Sequence, residues 1–187
     1  MRKRIHIHIG EYYASREPAI IHTVLGSCVA VCLYDPYQGI GGMNHMLLPG
    51  KADLNKFDVS ARYGVNAMEL LINRMMNLGV ERKKLVAKVF GGAHMISSIA
   101  RENGVGDKNV AFAMEFLKQE KIKVLSSDVG RTDSRKILFY TDTGDVYLKR
   151  VSSSYQQRLA EQEALAKKQI KNIADKSGEV TLFDQED

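Results

Sequence analysis

Two cysteines and five histidines occur in the 187-residue chain, and the covalent chemistry they could support centres on Cys28. Cys28 follows Leu25-Gly26-Ser27 and opens the apolar run Cys28-Val-Ala-Val-Cys-Leu-Tyr34. A glycine just ahead of a strand permits a tight backbone turn, so a side chain at that edge can be reachable while its successors are buried. His45 stands in Gly42-Met-Asn-His45, in the next apolar segment. An imidazole beside a thiol can accept its proton and make a competent nucleophile near neutral pH. A third group must orient that ring and fix its tautomer. Thr23 is the nearest suitable hydroxyl, with His22, Asn44 and Ser27 as rivals.

Cys32 provides the contrast. At roughly 3.3 Å per strand residue its Cα would lie about 13 Å from that of Cys28, beyond the roughly 7 Å reach of a disulfide. It reads as a small buried hydrophobe. A metal site built from Cys28, His22, His45 and His94 matches no usual zinc spacing, and zinc would quench the nucleophile, so no metal is expected. His94, after Gly91-Gly-Ala93, reads as a structural or rim residue. His6 and His8 fall on the polar face of a strand. Neither a dinucleotide fingerprint ahead of a helix nor a GxxxxGK[ST] loop occurs, and no cofactor is expected.

The elements that must position these residues follow from periodicity. Ile5, Ile7 and Ile9 alternate with His6 and His8, the period of a half-buried strand. The apolar run from Cys28 to Tyr34 predicts a buried strand ending at Asp35-Pro36, and Ile40 to Leu48 predicts its hairpin partner. Val65, Met68, Leu71, Ile72 and Met75 mark one face of a helix over about Ser60 to Leu78, with Gly79 beyond its end. Leu85 to Phe90 reads as a strand, Met95 to Glu102 as a short helix, and Asp107 to Glu120 as a helix with Val110, Met114 and Leu117 inward. Strands are expected at Ile122 to Ser126, Ile137 to Tyr140 and Val146 to Lys149, the last two joined by an Asp142-Thr-Gly-Asp145 turn. No internal repeat is found.

Composition sets the frame. With 44% hydrophobic and 26% charged residues, the chain predicts one compact soluble domain, and its two cysteines exclude a disulfide scaffold. No stretch of 18 apolar residues occurs and the amino terminus lacks the apolar core of a signal peptide, which predicts a cytoplasmic protein without membrane insertion. The formal charge is +5. Residues 155–187 hold five basic and seven acidic residues, or −2, which leaves +7 on residues 1–154. That excess favours an acidic partner, but the absence of tryptophan and of a basic recognition helix argues against nucleic acid. The expected division is a catalytic domain at 1–154 and a peripheral helix or partly disordered tail at 155–187, where Leu159, Leu165 and Ile170 are spaced within a charged background.

The segments Leu25-Gly-Ser-Cys-Val-Ala-Val-Cys-Leu-Tyr-Asp-Pro36, Gly41-Gly-Met-Asn-His-Met-Leu-Leu-Pro49, Lys88-Val-Phe-Gly-Gly-Ala93 and Asp142-Thr-Gly-Asp-Val146 together resemble the chemoreceptor glutamine deamidase family, CheD, over about residues 5 to 150. The resemblance implies hydrolysis of selected glutamine side chains on methyl-accepting chemotaxis receptors. It also implies a single α/β (α+β) domain with sandwich-like sheets flanked by helices, related to toxin-type cysteine deamidases. The family's nucleophile falls on Cys28, its base on His45 and its threonine on Thr23. An oxyanion must be stabilised in both steps, and backbone N–H groups around Ser27-Cys28 are the economical donors, with Gly26 an oxyanion or substrate contact to consider beside them. Asn44, Gly91 and Gly92 are further oxyanion or substrate contacts to consider, and Gly41-Gly42 could also allow close backbone approach. Two alternatives accompany the resemblance: an adaptor that binds a CheC-type phosphatase without chemistry, and hydrolysis of receptor glutamate methyl esters.

Overall fold

The computed structural model describes residues 2–94, 104–151 and 153–176. The expected helix from Met95 to Glu102 and the segment Ser177 to Asp187 lie outside the described residues.

Among the described residues, nine strands form two sheets. One has four strands in the order β1 (Lys3–His6), β3 (Ala19–Leu25), β8 (Arg135–Tyr140), β9 (Val146–Arg150). The other has five, in the order β2 (Tyr12–Ser15), β5 (Ile40–Asn44), β4 (Val29–Asp35), β6 (Val86–Gly91), β7 (Lys123–Val129). Helices α1 (Val59–Asn77) and α2 (Val105–Gln119) cover the five-stranded sheet, and α3 (Ser153–Lys176) follows the last strand. The architecture is a mixed α/β domain of two sheets flanked by helices.

The unbroken apolar reading of β4 has a physical cause: both of its faces are covered. Val29, Val31 and Leu33 pack with Met68, Leu71, Ile72 and Met75 of α1 and Phe112, Ala113, Phe116 and Leu117 of α2. Cys28, Ala30 and Cys32 face the other way, onto Ile21, Leu25, Ile137 and Phe139 of the four-stranded sheet. Each fully buried leucine or isoleucine in these layers contributes about 2 kcal/mol. Glycines let the layers close: a Cβ at Gly41 would lie 2.8 Å from the Phe139 ring, and one at Gly42 would lie 2.8 Å from Leu71. This pair serves packing within β5 and does not open an approach to a substrate.

α1 begins on the Asp58 carboxylate, which accepts the Ala61 N–H at 2.8 Å, and ends ahead of Gly79 at φ +92°. In α2 the inward residues are Asn109, Phe112, Ala113, Phe116 and Leu117; the expected Val110 and Met114 only flank the core. The helix is rotated because Asn109, polar yet completely buried, takes an inward position. Among the described residues, no helix is long and apolar enough to cross a membrane.

Two departures from the periodic reading matter for the site. Neither β2 nor β3 is signalled by clean alternation, because β3 buries Thr23 among Ile21 and Leu25. The expected strand from Ile40 to Leu48 stops at Asn44. His45 leaves the ladder because its N–H donates to Glu11 O at 3.0 Å and its carbonyl accepts from Gly10 N–H at 2.8 Å. Met46 then rejoins, bridging Val29.

Candidate active site

β3 and β4 belong to different sheets, so Gly26-Ser27-Cys28 is the point where the chain crosses the sandwich. The carbonyls of this crossing are all held from one side. Gly26 O accepts from Ala93 N–H at 2.7 Å, Cys28 O from Gly92 N–H at 2.7 Å, and Ser27 O from Asn109 Nδ2 at 2.8 Å. Gly91 has φ +113°, and a Cβ there would collide with the Cys28 carbonyl. With its carbonyls committed, the crossing presents three consecutive N–H groups to the opposite side, the arrangement of an anion-binding nest.

The cross-strand register places the histidine. Val29 opposes Met46, so Cys28 falls opposite Leu47 and His45 opposite Ala30, on the same face and one diagonal from the cysteine. Thr23 comes from the facing sheet, and its Oγ1 lies 2.8 Å from His45 Nδ1 and 2.8 Å from Ile7 O. The threonine hydroxyl has one hydrogen, which it donates to the Ile7 carbonyl. Its oxygen is then the acceptor for Nδ1–H, and Nε2 keeps the lone pair. Among the described residues that Nε2 is buried with no hydrogen-bond partner.

Burial governs the charge states. His45 is pushed down to about 3 by desolvation, opposed by the nearby Ile7 carbonyl dipole. The Cys28 thiol is pushed well above its ordinary value by burial and then by the charge of the Glu163 carboxylate. In this structure the pair therefore rests as neutral thiol and neutral imidazole.

The remaining expected residues divide clearly. Gly26 and Ser27 contribute N–H groups to the nest, and Gly91 and Gly92 support the Cys28 backbone. Asn44 is turned to the helix side, where Oδ1 accepts the Val31 N–H at 3.0 Å and Nδ2 meets Met68 Sδ at 3.4 Å. His22 stacks on His6 at 5.0 Å on the outer face of its sheet, away from Thr23. Among the described residues, no group of three or more histidines, cysteines and carboxylates is arranged to hold a metal ion.

A profile described as CheD chemotactic sensory transduction matches residues 47–150. A probable chemoreceptor glutamine deamidase CheD 1 of Shewanella oneidensis is 43% identical over 184 residues, covering 97% of this chain and 88% of that protein. The chain belongs to the CheD family. A probable chemoreceptor glutamine deamidase CheD of Agrobacterium fabrum is 50% identical over 143 residues, 76% of this chain and 77% of that protein. One from Vibrio cholerae serotype O1 is 41% identical over 186 residues, 93% of this chain and 76% of that protein.

Periodicity and spacing missed three contributors in this CheD-family chain. Asn109 ties α2 to the Ser27 crossing and to the segment after β5, donating to Ser27 O and accepting the Leu48 N–H at 2.9 Å. Tyr63 of α1 packs against both cores, and burial together with the nearby Cys28 raises its phenol. Glu163 of α3 fills the nest. Its signal was present in the sequence: Leu159, Glu163, Ala166 and Ile170 lie at i, i+4, i+7 and i+11, which puts a carboxylate on the apolar stripe of the helix.

Proposed function

We propose that this chain hydrolyses glutamine side-chain amides on methyl-accepting chemotaxis receptors in the cytoplasm, with Cys28 as nucleophile, His45 as base and acid, and Thr23 as the orienting hydroxyl. The observation that carries the assignment is the 2.8 Å contact between Thr23 Oγ1 and His45 Nδ1, which leaves Nε2, unpartnered among the described residues, on the same face as Cys28. The names of the relatives supply the substrate.

Each step balances. His45 Nε2 takes the thiol proton as Cys28 sulfur bonds to the glutamine γ-carbonyl carbon, and the negative charge moves to the carbonyl oxygen. The N–H groups of Gly26, Ser27 and Cys28 stabilise that oxyanion. The C–N bond breaks, His45 returns the proton to the leaving nitrogen, and ammonia departs to leave a thioester. Water attacks with His45 again as base, the C–S bond breaks, and the product is glutamate with the thiol restored.

The division into a catalytic body at 1–154 and an added segment at 155–187 is part of this reading, as is kinship of the two-sheet fold to toxin-type cysteine deamidases. Family membership also supports a CheC-type phosphatase as a second partner, to be tested by co-elution of the purified proteins. The deamidase itself is tested by peptide mass spectrometry on a receptor cytoplasmic fragment incubated with wild type and Cys28→Ala. Glutamines converted to glutamates by wild type alone are expected. Conversion by neither, with both proteins folded, overturns the assignment, and effects that survive Cys28→Ala identify an adaptor.

A further inference from the structure

Two carboxylates are buried among the described residues, Asp35 and Glu163. Asp35 serves its own turn, accepting from the N–H groups of Tyr37 and Gln38. Glu163 has no such local role. Its donors lie 135 to 137 residues away in sequence: Gly26 N–H at 3.1 Å and Cys28 N–H at 3.3 Å reach Oε1, and Ser27 N–H at 3.0 Å and Ser27 Oγ at 2.5 Å reach Oε2. The three N–H groups are the donors assigned above to the oxyanion.

The seated group is a glutamate side chain presented by a helix. The product of the proposed reaction is also a glutamate side chain, and the groove as it stands takes one from a helix. We propose that the groove beneath α3 is the docking groove for the receptor helix, and that α3 occupies it with Glu163 seated as a product glutamate, so that the two helices exclude one another. The inference rests on the deamidase reading, which supplies the substrate.

Two further observations fit a displaceable product mimic. Leu159 and Ile170 bury themselves on the same stripe as Glu163, whereas Leu165 is 63% exposed, so the helix docks by a narrow face. A cleft of about 310 Å³ runs beside the site, lined on one wall by Thr23 and His45 and on the other by Leu159, Gln162 and Ala166, so moving α3 opens the histidine side. While seated, the Glu163 charge also opposes formation of the Cys28 thiolate.

The test uses the full-length chain. In Glu163→Gln the helix carries a substrate amide into the nest. Attack by Cys28 sulfur would form the thioester and release ammonia with a proton from His45, and water would then leave an acid at position 163. Peptide mass spectrometry that resolves position 163 from Gln162 is expected to find NH2 replaced by OH there, and to find the amide intact when Cys28→Ala is added. An amide that persists in a folded Glu163→Gln protein able to deamidate a receptor fragment overturns the proposal.

A second arm reads access without turnover. Alkylation of Cys28 by iodoacetamide, referenced to buried Cys32 in the same molecule, is expected to rise roughly tenfold or more in Glu163→Ala, the scale of losing charge-assisted hydrogen bonds. Receptor deamidation should rise alongside, through a lower KM. Equal alkylation in wild type and Glu163→Ala overturns the docking assignment. Failure of wild type and both variants to convert any receptor glutamine strikes the deamidase reading instead, and the alkylation arm still decides the position of the helix.

Discussion

Cys28 and Cys32 lie four residues apart on one strand, face the same inter-sheet core and are both buried, at 0% and 1% exposure. Their surroundings differ in kind. Cys32 sits within the paired ladder opposite Met43, with its backbone in a regular strand. Cys28 stands one residue ahead of the strand, where the chain changes sheets, and gains a diagonal histidine and a nest of N–H groups. Burial raises both thiols. What separates them is a supply of groups that can accept a proton and hold an anion, and the edge of a ladder provides those because backbone N–H groups inside it are already paired.

The largest expected effect breaks the comparison directly. Cys28→Ala should lower kcat/KM for receptor deamidation by about 1,000-fold or more, while Cys32→Ala should change it little. Similar losses from both, measured by ammonia release, would remove the distinction. Next in size is the orienting contact. Thr23→Val deletes the acceptor for His45 Nδ1–H and should cost roughly tenfold in kcat, with Thr23→Ser restoring most of it. Equal activity in the valine and serine variants would mean that the hydroxyl does not fix the tautomer.

Stability against pH sharpens the same contrast. His45 is pushed down to about 3 from an unfolded value near 6.5, so its contribution is full above about 6.5 and is lost as pH falls toward about 3. The two cysteines act with opposite sign: their folded values are raised, so stability is full below the ordinary thiol value of 9.0 and falls as pH climbs beyond it. Urea unfolding midpoints should therefore drop on both sides of neutrality. His45→Gln should flatten the acid limb, with a residual slope from His6 and His22, whose values burial also lowers. An unchanged acid limb would show that His45 is not held neutral. The smallest effect belongs to Cys32→Ala, which removes one buried sulfur from a close-packed layer and should cost about 1 kcal/mol in the same unfolding experiment.

The sequence alone determined the elements whose signals are local. α1 is legible because its apolar residues recur every three or four positions, and β4 because burial on both faces leaves no polar residue to interrupt it. Cys28 was legible because glycine and strand onset are adjacent in the chain, and His45 because a hairpin brings the next segment alongside. The direction of α2 and the true end of β5 were not legible, since Asn109 and His45 take positions set by distant backbone groups at Ser27, Leu48, Gly10 and Glu11.

Tertiary structure also decided the electrostatics of the candidate site. Three N–H groups can converge only when their carbonyls are held by Gly92, Ala93 and Asn109, from two other elements. Glu163 is buried only because that convergence repays its desolvation with four hydrogen bonds. Periodicity can place a carboxylate on an inward stripe, but the partner that makes its burial favourable lies 135 residues away and is created by the fold.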